Sequence, residues 1–147
     1  MYQRIFVPVD GSATSERALT EAISLVDNTA QLRLVYVLEE IYPLDGEGFA
    51  FIDYAALQAA VRHTGERTLA QAEKTVQHAG KKAETVLLEA GGERIANILA
   101  NDARDWHADL IVIGTHGRTG LNRLLLGSVA EGLVRVASVP VLLIRAE

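Results

Sequence analysis

Five apolar runs along the chain alternate with four stretches of helical periodicity. The unbroken run at residues 110–113 is typical of a strand buried on both faces of a parallel sheet. Further strands are predicted at residues 5–9, 32–37, 85–89 and 141–144. This alternation predicts an α/β fold in three layers, a parallel five-stranded sheet between helices, formed by a single domain over residues 1–147.

The predicted helices are marked by apolar side chains at helical spacing. The first follows directly on the first strand, and the second covers residues 54–79 with Ala79 as the last position of its inner stripe. Gly65 is expected to kink or weaken this second helix. The third helix ends near Trp106, which we interpret as a core residue, and the fourth covers residues 128–137.

The composition narrows the class of protein. Apolar residues make up 49% of the 147 residues, enough for a sizeable core. The net charge of −5 argues against nucleic acid or an anionic membrane as the main partner. The absence of cysteine excludes thiol catalysis and suits a reducing compartment. With no signal-peptide pattern and no apolar run near the roughly 20 residues of a membrane span, we expect a cytoplasmic protein without membrane insertion.

A glycine-rich segment follows the strand at residues 110–113. Gly114, Gly117 and Gly120 fall within seven residues, and Gly127 directly precedes Ser128 and a helical pattern. Glycines let the backbone approach an anion, and the first N–H groups of a helix point at it. The pattern therefore indicates a phosphate site. A helix cap without a ligand fits equally well, since Ser128 and Glu131 have the spacing of a capping box.

The spacing Gly114-x2-Gly117-x9-Gly127-Ser128 resembles the nucleotide-binding signature of the universal stress protein family, in its ATP-binding branch. The resemblance extends over essentially the whole chain. It differs from a Walker A loop, which needs Gly-Lys-Ser/Thr, and from the Gly-x-Gly-x-x-Gly of dinucleotide folds. It implies the strand order 3-2-1-4-5 and a Rossmann-like fold of the adenine nucleotide alpha hydrolase type. In that order the first and fourth strands are neighbours, and ligands bind beyond their carboxyl ends.

The resemblance also implies a set of ligand-binding residues. Asp10 would lie near the ribose and hold Mg²⁺ on the phosphates, although from the pattern alone it could equally cap the next helix. His116 could be a general base, but no carboxylate in the motif is evidently placed to orient it. Arg118 and Arg123 could bind phosphate or be solvated loop charges. The residues that would contact the nucleotide are Pro8, Val9, Asp10, Val37 (through its backbone, at the adenine), Gly114 (at the ribose), His116, Gly117, Arg118, Gly127, Ser128 and Val129.

These observations predict an ATP-binding regulator, with Mg²⁺, whose assembly or protein partner responds to nucleotide. The alternatives are a slow ATPase or nucleotidyl transferase and a structural stress protein that binds no nucleotide. The sequence has neither His-x-Gly-His nor Ser-Gly-Gly-x-Asp-Ser, which argues against the transferase. The uncharged run Val141–Ile144 would be an edge strand, through which we expect a homodimer or a tetramer of such dimers. The acidic segment at residues 39–53 is interpreted as a solvated loop, or else as a lid or a partner-contact loop.

Overall fold

The computed structural model describes residues 1–41, 53–116 and 126–145, which form a parallel sheet with helices on both faces. Its strand order is β3-β2-β1-β4-β5, which confirms the predicted fold and order. The third strand begins at residue 83, two residues earlier than predicted. The strands are β1 (Arg4–Pro8), β2 (Gln31–Leu38), β3 (Ala83–Glu89), β4 (Leu110–Gly114) and β5 (Val141–Ile144). The helices are α1 (Ala13–Leu25), α2 (Tyr54–His78), α3 (Ile95–Asp105) and α4 (Ser128–Val136).

Two apolar cores lie on opposite faces of the sheet. Successive side chains along a strand belong alternately to one core and to the other. In β1, Ile5 and Val7 pack with residues of α1 and α2, whereas Phe6 packs with residues of α3 and α4. All three side chains are fully buried. This explains the unbroken apolar runs, because a central parallel strand has no face turned to water.

The end of β1 defines the position of the site. Pro8 is the last residue of the strand and pairs with Val35 of β2. The Val9 N–H, one residue beyond, still donates to the Val35 carbonyl oxygen at 2.9 Å. β1 lies between β2 and β4, whose connections run to opposite sides of the sheet. A crevice therefore forms beyond the carboxyl ends of β1 and β4.

Gly65 does not kink α2, which is continuous over 25 residues. A Cβ at Gly65 would lie 2.9 Å from two ring carbons of Tyr36 and 3.0 Å from Leu87 Cδ1. The glycine therefore allows the helix to pack closely against β2 and β3. The inner stripe also ends earlier than predicted, since Ala79 is the exposed C-cap residue. No helix within the described ranges is both long and apolar enough to cross a membrane.

A network of charged side chains lies at the opposite end of the sheet, where the parallel strands begin. Arg33 of β2 binds Asp102 of α3 through two hydrogen bonds of 2.9 Å and pairs with Glu84 of β3 at 3.3 Å. Burial disfavours the charged guanidinium, but Asp102 and then Glu84 outweigh it, so the pKa of Arg33 lies above its usual value. Trp106 packs at the border of the core, half-buried, with the Arg4 guanidinium 4.2 Å from its ring centre.

Candidate functional site

A cavity of about 730 Å³ lies beyond the carboxyl ends of β1, β2 and β4. It brings together segments about a hundred residues apart in the chain. Three further candidates, Gly117, Arg118 and Arg123, lie outside the described residues, as do residues 42–52 of the acidic segment. The predicted residues that line the cavity are Pro8, Val9, Asp10, Val37, Gly114, His116, Gly127, Ser128 and Val129.

Val37 presents its backbone to this cavity, and the hydrogen bonds of β2 show why. The Val35 carbonyl accepts from Val9 on the β1 side, whereas the Leu38 carbonyl accepts from Ala90 on the β3 side. Because backbone groups alternate in direction along a strand, those of Val37 point to the β1 side. β1 has already ended at this level. One N–H donor and one C=O acceptor therefore face the cavity.

The N-terminus of α4 opens onto the same cavity. The Glu131 N–H makes the first intrahelical bond, to the Gly127 carbonyl at 2.9 Å. The N–H groups of Ser128, Val129 and Ala130 precede it and have no partner within the helix. All three residues line the cavity, and α4 has no side-chain cap. These N–H groups and the positive end of the helix dipole can bind an anion.

The alternative interpretation of Ser128 and Glu131 as a capping box is wrong. Gly127 is the N-cap residue, and Ser128 is already the first residue of the helix. The Gly127 N–H donates to the Thr115 carbonyl oxygen at 2.6 Å, so a contact with the end of β4 fixes where the helix begins. Glu131 instead pairs with Arg135 one turn later, at 2.9 Å. Ser128 lines the cavity, and its hydroxyl does not cap the helix.

Asp10 is half-buried in the turn after β1 and does not cap α1. The N-cap residue is Ser12, whose side chain accepts from the Ser15 N–H at 3.1 Å. Asp10 Oδ1 accepts from the Ser12 N–H at 2.8 Å, and the Asp10 N–H donates to Ser15 Oγ at 3.1 Å. These bonds hold the carboxylate beside the cavity that it lines.

Gly114 and Gly127 are required by contacts within the protein. A Cβ at Gly114 would lie 2.6 Å from Thr14 Cγ2 and 3.1 Å from the Thr14 carbonyl carbon. A Cβ at Gly127 would lie 2.9 Å from the Thr115 carbonyl oxygen. The distances of 2.6 Å and 2.9 Å are shorter than packed atoms tolerate. The close approach that the glycine pattern predicted is therefore made by protein atoms at these two positions.

The charges around the cavity are predominantly acidic. Asp10, Glu39 and Glu40 line it, and the lining residues in the described ranges include no lysine or arginine. Within those ranges no three histidine or acidic side chains form a metal-binding group. A metal at this site would need oxygen ligands from a bound molecule or water in addition to a carboxylate.

Sequence reasoning missed Thr115, which is buried at the end of β4. Its hydroxyl oxygen lies 3.0 Å from His116 Nδ1, and among the described residues no carboxylate contacts this ring nitrogen. The His116 Nε2 atom is buried, and none of the described residues is its hydrogen-bond partner. The position of Thr115, a polar residue directly after a buried strand and inside the glycine motif, was the available signal.

The sheet order and the crevice at its switch point define a doubly wound, Rossmann-like α/β protein. The sequence model of the universal stress protein family matches residues 1–145, and the chain belongs to this family.

Individual relatives are similar to this chain over nearly all of its length. Universal stress protein MJ0531 of Methanocaldococcus jannaschii is 34% identical over 148 residues, covering 99% of this chain and 83% of that protein. The structure of a universal stress protein family member from Burkholderia pseudomallei has a TM-score of 0.76 at 37% identity, covering 97% and 96% of the two chains. The universal stress protein of Archaeoglobus fulgidus in complex with dAMP has a TM-score of 0.67 at 27% identity, covering 97% and 98%.

We expect Gly114→Ala to lower the free energy of unfolding by about 1–3 kcal/mol without any ligand, because the added methyl group overlaps Thr14. Urea unfolding measures the loss. Thr14→Ser removes the nearest atom, Cγ2, and should restore part of the stability in the double variant. An unchanged urea midpoint in Gly114→Ala would contradict the close approach.

Proposed function

We propose that this protein binds ATP, together with Mg²⁺, in the crevice beyond β1 and β4 and acts as a nucleotide-responsive regulator. One observation carries the proposal. The backbone groups of Val37 and the first three N–H groups of α4, none of which has a backbone partner among the described residues, belong to residues that line the same cavity. A base edge needs a donor and an acceptor, and a phosphate needs several donors.

The cavity can hold a nucleotide in one orientation. The adenine edge would pair with the Val37 backbone, with apolar side chains such as Val35 and Ile113 beside the ring. The ribose would lie near Gly114, and the phosphates at the α4 N-terminus with Gly127, Ser128 and Val129. A volume of about 730 Å³ is in the usual range for small-molecule sites. The dAMP complex of the Archaeoglobus fulgidus relative supports an adenine nucleotide here.

Mg²⁺ fits the charges of this site. Asp10, Glu39 and Glu40 would repel a bare triphosphate, and a divalent cation between phosphate oxygens and the Asp10 carboxylate would offset that repulsion. Asp10 is already oriented by the Ser12 N–H. The cation would reduce the charge of the ligand, while the chain supplies one carboxylate and the helix N–H groups.

Binding without rapid hydrolysis is the expected behaviour. The group that contacts His116 Nδ1 is the Thr115 hydroxyl, so no described carboxylate orients the ring as a general base. We expect bound ATP to survive for many minutes at room temperature, measured as ADP formed in a single turnover. Turnover on the order of 1 s⁻¹ or faster, abolished by His116→Ala, would favour the enzymatic alternative.

Ser128→Ala tests the phosphate end of the site. We expect ATP affinity to fall by roughly 1.5–3 kcal/mol, about tenfold or more, because a hydrogen bond to an anionic oxygen is lost. Folding stability should change by less than about 0.5 kcal/mol, since Ser128 does not cap the helix. Calorimetric titration and thermal melts measure both quantities.

The matched control for that experiment is Ser138→Ala, an exposed serine beyond the other end of α4, which should change neither quantity. Wild-type affinity in Ser128→Ala would remove the hydroxyl from the phosphate site. Failure of the wild-type protein to bind ATP would contradict the proposed function itself.

We also propose a homodimer, or a tetramer of such dimers, formed through β5. Within the described residues this strand pairs on one side only, with β4. Leu142 is 37% exposed on it, whereas Leu143 and Ile144 pack against the cores. An apolar, uncharged edge favours pairing with a second copy.

A response of assembly to nucleotide has a direct route in this proposal. The Thr115 carbonyl accepts from the Gly127 N–H at the start of α4. The Thr115 N–H donates to the Ile144 carbonyl of β5 at 2.9 Å. Thr115 thus joins the proposed phosphate site to the proposed interface. A shift of the α4 N-terminus on nucleotide binding would therefore also displace β5.

Leu142→Lys should dissociate the assembly to monomers, because a charge on the edge strand opposes strand pairing. Light scattering coupled to gel filtration at micromolar concentration measures the mass. Leu142 is the appropriate position, since a lysine at Leu143 would also disturb the core. Leu57→Lys is the control, as Leu57 is 43% exposed on α2. A monomeric wild-type protein would contradict the interface.

A further inference from the structure

The cavity beyond β1 and β4 has two walls of different character. On the α1–α2 side of the sheet, the lining includes the polar residues Asp10, Ser15 and Tyr36. On the α3–α4 side, the lining residues that belong to the core are all apolar, namely Val35, Val37, Ile95, Leu99, Ile113 and Val129. A flat base suits the apolar wall, whereas a ligand group with hydroxyls suits the polar one.

Ser15, in the first turn of α1, has a hydroxyl whose hydrogen is not used within the described protein. The residue is 5% exposed and lines the cavity. Its Oγ accepts from the Asp10 N–H at 3.1 Å, and none of the described residues accepts its hydrogen. The helical hydroxyls of Thr20 and Thr64, in contrast, donate to the carbonyl four residues earlier. Since a buried donor without an acceptor is unfavourable, we expect a ligand to supply that acceptor.

The contacts of Ser15 place its side chain at the end of β1. Its backbone lies in α1, and its N–H is bonded to Ser12 Oγ at 3.1 Å. The side chain is therefore the part of Ser15 that reaches the cavity. Its oxygen lies 3.1 Å from the nitrogen of Asp10, two residues beyond the last residue of β1.

The strand order places the sugar of a bound nucleotide over the same point. In the proposed orientation the base pairs with Val37 of β2, and the phosphates lie at the start of α4, which follows β4. Because β1 lies between β2 and β4, the ribose that joins the two passes over the end of β1.

The geometry of ribose then determines which wall its hydroxyl groups face. The two hydroxyls lie on the ring face opposite to the base and the phosphate chain. The proposed contacts of the base and the phosphates are with the apolar α3–α4 wall and the N-terminus of α4. The hydroxyls therefore point to the α1–α2 wall, where the Ser15 hydrogen lacks an acceptor.

We propose that the Ser15 hydroxyl donates a hydrogen bond to a ribose hydroxyl of the bound nucleotide and makes the site selective for ribonucleotides over deoxyribonucleotides. This inference rests on the proposed function. The contact leaves the bond from the Asp10 N–H in place, because a serine hydroxyl can accept and donate at the same time. Ser15 is thus a specificity-determining residue that touches the ligand.

Calorimetric titration with ATP and with its 2′-deoxy and 3′-deoxy analogues, each with Mg²⁺, tests the contact. We expect the wild-type protein to bind one of the two analogues roughly three- to tenfold more weakly than ATP, the net contribution of one neutral hydrogen bond. In Ser15→Ala the ratio of the two affinities should fall to about one. Any loss caused by the freed Asp10 N–H affects all three ligands alike, so it does not change this ratio.

The matched control is Ser24→Ala, an exposed serine of the same helix whose hydroxyl donates to the Glu21 carbonyl oxygen. It should keep the wild-type ratio. Urea midpoints verify that each variant is folded. If Ser15→Ala does not fold, Ser15→Cys provides the same readout, because a thiol is similar in size and only a weak donor, so the preference should again fall.

The outcomes separate the two proposals. Equal affinity of the wild-type protein for ATP and both analogues would overturn the inference while the proposed function stands. A preference for ATP that persists in Ser15→Ala would assign the sugar contact to another group and also overturn the inference. A wild-type protein that binds none of the three nucleotides would overturn the proposed function, and the inference with it.

Discussion

The end of β4 lies so close to the starts of two helices that neither Gly114 nor Gly127 has room for a side chain. Gly114 abuts Thr14 in the first turn of α1, and Gly127 abuts the Thr115 carbonyl. The hydrogen bond between Gly127 and Thr115 then sets the first residue of α4. The rest of the site depends on this approach, because it brings the uncapped helix end to the crevice between β1 and β4.

Polar groups differ in their pairing between the two ends of the parallel strands. At the amino-terminal ends, Arg33 of β2 is paired with Asp102 of α3 and Glu84 of β3. These pairs stabilise the packing of α3 on the sheet. At the carboxyl ends of the strands, the first N–H groups of α4 and the Nε2 atom of His116 have no partner among the described residues. Buried or half-buried groups without partners are unfavourable for folding alone. The residues that carry the α4 N–H groups line one cavity, where a ligand can supply the missing partners.

Much of the architecture could be predicted because it follows from local pattern. Buried parallel strands such as β4 are unbroken apolar runs, and the strand order followed from the family resemblance. The gathering of Asp10, Val37 and Ser128 at one cavity followed in turn from that order. The position of a residue at a strand end is therefore readable from sequence once the topology is known.

The remaining features depend on contacts between distant segments. Ser128 has the composition of a cap, but the bond from Gly127 to Thr115 moves the cap by one residue. Gly65 is a poor helix former, yet its neighbour Tyr36 on β2 requires its small size. The pairing of Thr115 with His116 depends on side-chain directions that spacing does not reveal.

Native mass spectrometry of the purified protein, before and after incubation with ATP and Mg²⁺, tests the central claim most directly. It reports both the mass and the number of bound molecules for each chain. The account predicts one adenine nucleotide per chain, retained from the cell or acquired on incubation. A protein whose mass remains that of the bare chain after incubation with millimolar ATP and Mg²⁺ would contradict it.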